Sequence, residues 1–263
     1  MNDSFHDMIA EGWLIIYMDD LLIYSPDVSL HEERTKCILQ HMTELDLHLK
    51  LEKCKFTTDE VEYLRMIVKP SQLAMDPVKL DRIAGWPTPT KVKHVHSFLG
   101  FANFYQHFIP DYSNVAHPLI DLTKKNLAWN WSPSCQSSFN SLKCLFLSKP
   151  VLHLPDLSAP FAVATDASKH ASGAILLQTD SNGDWHPCSY LSQSFSAAEQ
   201  NYDIYDRELL AVIHALKSWR HYLHSSPFLV QVFTDHKNLT YFHQPQPSTA
   251  NKLTGSLTFQ TLT

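Results

Sequence analysis

Residues 13–25 read Trp-Leu-Ile-Ile-Tyr-Met-Asp-Asp-Leu-Leu-Ile-Tyr-Ser. Two apolar, β-branched or aromatic runs flank the adjacent aspartates Asp19 and Asp20. Such runs predict strands, and a polar pair between them predicts a tight hairpin turn. Two carboxylates held side by side repel each other and are costly to desolvate. A metal ion at the turn would remove both problems; the plainer alternative is an ordinary polar turn.

Bulk properties narrow the classes. A chain of 263 residues has room for about two domains. Its 44% hydrophobic and 18% charged content is that of an ordinary globular protein. No apolar run approaches the roughly 20 residues of a membrane-spanning helix, so no membrane partner is expected. The N-terminus has neither a basic nor an apolar leader region, and an intracellular setting is the expectation. Cys37, Cys54, Cys135, Cys144 and Cys188 are odd in number and form no CxxC pair, which predicts reduced thiols. The sixteen histidines show no HExxH or paired Cys/His spacing, and His94, His96, His221 and His224 read as surface residues.

The net charge of −6 runs against the usual basic footprint of a nucleic-acid binder, but the charge is uneven. Residues 1–66 hold 14 acidic against 6 basic side chains, net −8, while residues 70–128 hold 6 basic against 4 acidic, net +2. A basic middle beside acidic clusters suits a chain that grips phosphate in one place and metal in another.

In chain order, residues 4–12 read as a short helix. Leu30, Ile38, Met42 and Leu45 give a helical period after Ser25-Pro26-Asp27. Leu47-His-Leu-Lys-Leu51 alternates like a strand, and Val61–Val68 carries a second strand signal. Lys50, Lys53 and Lys55 are either a solvated face or contacts to nucleic-acid phosphate. Asp76-Pro77 starts a helix that Pro87 and Pro89 stop. A helix is predicted from about Lys91 to Phe108, another from Asn114 to Lys125. Ser132-Pro133 opens a further one, with Phe139, Leu142, Cys144, Leu145 and Phe146 on its apolar face. A domain boundary is expected near residue 150.

A second acidic set follows. Phe161–Asp166 reads as a strand ending in a carboxylate, with residues 173–178 as its antiparallel partner. Asn182-Gly183 is a hairpin signal before a third strand at 185–191. Ser196-Ala-Ala-Glu199 is a capping box opening a long helix to about Leu223, with Tyr202, Tyr205, Leu209, Val212, Leu216 and Trp219 buried and Glu208 beside them. Phe228–Asp235 is a fourth strand, again ending in an aspartate. Asp166 and Asp235 at strand ends can converge with a helical Glu208 into one metal-binding cluster; each alone reads as a cap or a solvated charge.

The ordered succession of Tyr17-Met18-Asp19-Asp20, a His31-containing helix, Leu49-Lys-Leu-Glu-Lys-Cys-Lys-Phe56 and Tyr63-Leu-Arg-Met-Ile-Val68 resembles the palm of gypsy-type LTR-retrotransposon reverse transcriptases. Ser97-Phe-Leu-Gly-Phe-Ala-Asn-Phe-Tyr105 is similar to that family's helical thumb. Thr165-Asp-Ala-Ser168, Arg207-Glu-Leu-Leu210 and Thr234-Asp-His-Lys237 resemble its RNase H domain. The resemblance implies a mixed α+β and α/β fold. It divides the chain into a palm C-terminal part (1–69), a helical thumb (70–128), a connecting helix (129–159) and an RNase H-like domain (160–263). It implies that Asp19, Asp20, Asp166, Glu208 and Asp235 are catalytic, metal-binding carboxylates at two-metal Mg²⁺ or Mn²⁺ sites. The implied partners are an RNA/DNA hybrid or primer–template, with other segments of a Pol polyprotein.

Three departures stand out. The family places Gly-His after the aromatic-Leu pair, in the hairpin that grips the primer strand, where this chain has Arg65-Met66. No aspartate or glutamate follows Asp235, where the family carries a fourth metal ligand. The family's fingers and first polymerase aspartate would precede Met1. The expectation is therefore a fragment whose residual chemistry is RNA hydrolysis in hybrids, with DNA synthesis by this chain alone not expected. A catalytically inactive relic that still binds nucleic acid is the alternative.

Overall fold

A computed structural model describes residues 3–125, 127–148, 150–180, 182–234 and 257–261. It shows mixed helices and sheets in two compact units, Met1–Pro70 and Ser71–Thr263.

In the first unit, α1 (His6–Ala10) leads into a hairpin of β1 (Leu14–Tyr17) and β2 (Asp20–Ile23). Pairing of Tyr17 with Asp20 leaves Met18 and Asp19 as a two-residue turn. The helix α2 (Val28–Glu44) starts at Asp27, whose Oδ1 accepts from the Leu30 N–H at 2.8 Å. Its Ile38 and Met42 pack with Phe5, Trp13 and Leu14 into one apolar core. Leu45, expected on that face, is exposed just past the helix end.

The alternating stretch 47–51 forms no strand. Asp46, at φ 55°, reverses the chain, and the Leu47 N–H returns to the Met42 carbonyl at 2.9 Å. Residues Leu51–Lys53 close locally into a 3₁₀ turn, satisfying backbone groups that a strand would have needed a neighbour to pair. Residues 61–68 likewise are not one strand but a hairpin of β3 (Val61–Tyr63) and β4 (Met66–Lys69).

The second unit begins with β5 (Gln72–Met75), which pairs antiparallel with the later β6 (Val151–His153). Between them lie α3 (Pro77–Ala84), α4 (Val92–Phe104), α5 (Tyr112–Asp121) and α6 (Pro133–Leu147). Asp76 caps α3 through the Val78 N–H at 2.8 Å, with Pro77 in the first turn. Ser132 caps α6 through the Cys135 N–H at 3.3 Å, and Pro133 follows it. Phe98 meets Phe139 at 4.7 Å between ring centroids and Trp86 at 5.5 Å. Cys144 is exposed, and Cys135 takes a buried place on α6 instead.

Next come β7 (Phe161–Ala167), β8 (Ala171–Thr179), β9 (Trp185–Ser194), α7 (Ile204–Ser218), α8 (Arg220–Leu223), β10 (Val230–Thr234) and β11 (Leu257–Thr261). The sheet order is β11-β10-β7-β8-β9. Strands β7, β8 and β9 are antiparallel in succession, whereas β10 runs parallel to both β7 and β11. Gly183, at φ 89°, supplies the turn before β9. Helix α7 crosses one face of the sheet, burying Ala215 and Trp219 against Phe161, Val163, Leu176 and Val230.

The long helix expected from Ser196 is broken. The capping box does form, with Glu199 Oε2 accepting from the Ser196 N–H at 2.7 Å and Ser196 Oγ from the Glu199 N–H at 3.3 Å. It supports only a 3₁₀ turn at Glu199–Asn201. Tyr202 and Asp203 are extended, and α7 starts after them. Of the expected stripe, Val212 and Trp219 are buried, Tyr205, Leu209 and Leu216 are partly buried and Tyr202 is exposed; Glu208, Ala211 and Ala215 complete the buried face.

Candidate functional site

Strand β7 ends at the edge of the packed sheet. Thr165 is buried and faces the core, so the next residue, Asp166, turns outward and is exposed. The chain then makes a tight corner, Ala167–His170, into β8. Glu208 comes to this corner from α7. It is only 3% exposed, and its Oε1 accepts from the Ala167 N–H at 3.2 Å. The preceding Arg207 donates Nη1–H to the Ser168 carbonyl at 3.0 Å. Two consecutive α7 residues thus each grip a backbone group of one of the two residues that follow Asp166. The third expected ligand, Asp235, lies outside the described residues. Among the described residues no group of three His, Cys, Asp or Glu side chains gathers as a metal cage. Glu208 grips the backbone of the residue that follows Asp166, and both side chains are carboxylates, whose hard oxygens fit Mg²⁺ or Mn²⁺.

A third element reaches the corner that the sequence reading did not mark. Asp111, in the left-handed region at φ 53°, precedes α5. Its Oδ1 accepts from Asn114 Nδ2 at 2.6 Å, and Asn114 Oδ1 accepts from Ser168 Oγ at 3.1 Å. Burial pushes the Asp111 carboxyl up, the Asn114 hydrogen bond opposes this, and the charge of Asp166 adds to the rise. One turn along α5, the His117 ring lies 5.2 Å from that of His170. No local signal marked these residues, because the pairing spans 54 positions.

In the first unit, Asp19 occupies the β1–β2 turn and Asp20 begins β2, both exposed. Met18 holds φ 52° at the turn, where a non-glycine residue is strained. Tyr63 on β3 is the neighbour that sequence reasoning missed. Burial raises its phenol, and the charges of Asp20 and Tyr17 raise it further. Its hydroxyl is buried without a hydrogen-bond partner among the described residues. Lys50, Lys53 and Lys55 are exposed on the irregular segment around the 3₁₀ turn rather than on a strand face.

The two regions that hold these carboxylates match two family models. Residues 1–68 match "Reverse transcriptase (RNA-dependent DNA polymerase)" and residues 131–230 match "RNase H-like domain found in reverse transcriptase". The Tf2-3 transposon polyprotein of Schizosaccharomyces pombe is 35% identical over 229 residues, 87% of this chain and 17% of that polyprotein. The chain belongs to the LTR-retrotransposon reverse transcriptase–RNase H family.

The Tf2-7 polyprotein of the same yeast is 34% identical over 231 residues, again 17% of its length, so the chain spans about a sixth of the curated relatives it matches. Solved reverse transcriptases share the fold. A foamy viral protease-reverse transcriptase (dRH) in complex with double-stranded DNA superposes with a TM-score of 0.80 at 19% identity, covering 99% of this chain and 47% of that one. The foamy viral enzyme in complex with an RNA/DNA hybrid gives 0.78 at 18% identity, covering 99% and 36%.

Proposed function

We propose that this reverse transcriptase–RNase H segment hydrolyses the RNA strand of RNA/DNA hybrids in a divalent-metal-dependent reaction at the β7–α7 corner. The observation that carries this reading is the buried Glu208 carboxylate, fixed by the Ala167 N–H beside the exposed Asp166. Carboxylate oxygens are hard ligands suited to Mg²⁺ or Mn²⁺, and Glu208 is held next to the backbone that carries Asp166. In this reading Asp166 and Glu208, with Asp235, hold Mg²⁺ or Mn²⁺, and the ions when bound activate water and stabilise the leaving oxygen of a phosphodiester. The chain's own part is to fix Glu208 through the Ala167 N–H and the corner backbone through Arg207. The exposed Asp166 is left open to substrate.

The proposed domains are a palm portion at 1–69, a thumb at 70–128, a connecting helix at 129–159 and an RNase H-like domain at 160–263. The foamy viral relatives solved with double-stranded DNA and with a hybrid support a nucleic-acid partner. Lys50, Lys53 and Lys55 are proposed as phosphate contacts, with other Pol segments as protein partners. Asp19 and Asp20 stand as the polymerase carboxylates of the family, but no third acidic side chain joins them among the described residues. DNA synthesis is therefore not assigned to them alone.

The reading is tested with the purified chain, an end-labelled hybrid and Mg²⁺ or Mn²⁺, beside Asp166→Asn. Metal-dependent cleavage lost in the variant supports it; absence of cleavage above the variant removes it. Primer extension abolished by Asp19→Asn would overturn the expectation that this chain alone does not synthesise DNA. A non-catalytic relic that binds nucleic acid is the second reading. It is favoured by the strained β3–β4 turn, in which Leu64 and Arg65 hold φ 49° and 66°. Hybrid binding without cleavage would select it.

A further inference from the structure

The β7–β8 corner is held from two sides. Helix α7 holds its backbone, through Glu208 to Ala167 and Arg207 to Ser168. Helix α5 holds its side chain, through Asn114 to Ser168. The second contact is built with a defined polarity. The Asp111 carboxylate can only accept, so it turns the Asn114 NH₂ toward itself at 2.6 Å. That leaves the amide oxygen facing the Ser168 hydroxyl at 3.1 Å. Ser168 Oγ is the hub of the corner. It accepts from the His170 N–H at 3.2 Å and the Ala171 N–H at 3.0 Å, and its single proton is divided between Asn114 Oδ1 and the Ala171 carbonyl, 3.0 Å away. The His117–His170 ring contact adds a second link between the same two elements.

We infer that Asp111 and Asn114 are positioning residues for Asp166: the relay Asp111–Asn114–Ser168 fixes the corner, and through it the direction in which the Asp166 carboxylate meets a cation. This rests on the metal reading above and extends it to an element outside the sheet and α7. Neither residue is assigned as a ligand. Their part is to orient a ligand's backbone, as the hydrogen-bonded surroundings of metal ligands do elsewhere.

The experiment is a Mn²⁺ titration of the full chain followed by electron paramagnetic resonance, without nucleic acid. Removing such an orienting partner typically weakens metal binding about 10–100-fold. Asn114→Ala is expected to weaken the Asp166-dependent site by about tenfold or more. Position 111 separates relay from backbone. Asp111→Gly keeps the left-handed conformation but removes the acceptor, and is expected to weaken Mn²⁺ like Asn114→Ala. Asp111→Asn keeps both the conformation and an acceptor oxygen, and is expected to restore affinity to within about threefold of the parent, an allowance well inside the tenfold loss.

A merely structural role would not give that rescue, and thermal unfolding of each variant separates loss of fold from loss of orientation. Parent-like affinity in Asn114→Ala and Asp111→Gly would overturn the positioning role, while loss in Asp166→Asn would leave the metal reading standing. Equal loss in Asp111→Asn and Asp111→Gly would also overturn the relay. A parent chain whose Mn²⁺ binding is unchanged by Asp166→Asn would overturn the metal reading itself and the relay with it.

Discussion

Arg65 sits where the chain asks for a glycine. The β3–β4 hairpin closes with Leu64 and Arg65 as its two turn residues, both at positive φ. That is the primed turn whose twist matches paired strands, and it favours Asn-Gly. A left-handed L-residue costs about 1–2 kcal/mol, against roughly 0.4–1 kcal/mol for the extra unfolded-chain freedom of glycine. Arg65→Gly is therefore expected to stabilise the first unit by about 0.5–1 kcal/mol, read from urea unfolding. The cysteines give a second residue-scale outcome. Cys188 is buried, and burial pushes its thiol up to about 12, while Cys135 is buried as well. Cys37 and Cys144 are exposed and Cys54 is partly so. A thiol reagent at pH 8 should label Cys37, Cys54 and Cys144 in the native chain, and all five only after denaturation.

Elements with sharp local punctuation were legible in the sequence. Asp76-Pro77 and Ser132-Pro133 start α3 and α6 as their cap chemistry requires, and the Asp19 turn pairs β1 with β2. Ser132→Ala should cost about 1 kcal/mol, measured by thermal melting. Elements decided by tertiary partners were not legible. Residues 47–51 alternate like a strand but have no neighbour to pair with, so the backbone closes on itself. On α7 and its C-cap the large residues Val212 and Trp219 are buried as the sequence predicts, but Tyr202 is exposed, and the packed face also takes the small Ala211 and Ala215 and the charged Glu208, which apolar periodicity does not mark. Asp111 and Asn114 were invisible because their partner lies on another element.

The same packing predicts acid sensitivity. Burial lowers the imidazole of His107, and burial likewise lowers His214, with Glu199 opposing and Lys217 adding. Below the ordinary 6.5 the unfolded chain then holds more protons than the folded one. Stability falls as pH drops from that value toward the lowered folded values. Melting temperatures should decline between about pH 7 and 5.5, and His107→Phe with His214→Phe should flatten part of that decline.

For the whole molecule, family membership and present chemistry are separate matters. Two family models and the Tf2 polyproteins place the chain among retrotransposon reverse transcriptases with an RNase H-like domain, and the foamy viral structures share its fold. Its net charge of −6 makes local basic groups decisive for any grip on nucleic acid. If Lys50, Lys53 and Lys55 contact phosphates, replacing all three with alanine should lower the slope of log affinity against log salt by about 2–3 for a duplex. An unchanged slope would return them to a solvated surface.

The central claim is that a divalent cation belongs at the β7–α7 corner. Anomalous diffraction from crystals of the chain soaked in Mn²⁺ addresses it most directly. A manganese peak is expected within bonding distance of both Asp166 and Glu208, absent in crystals of Asp166→Asn. Manganese bound only elsewhere, or an unchanged peak in the variant, would contradict it.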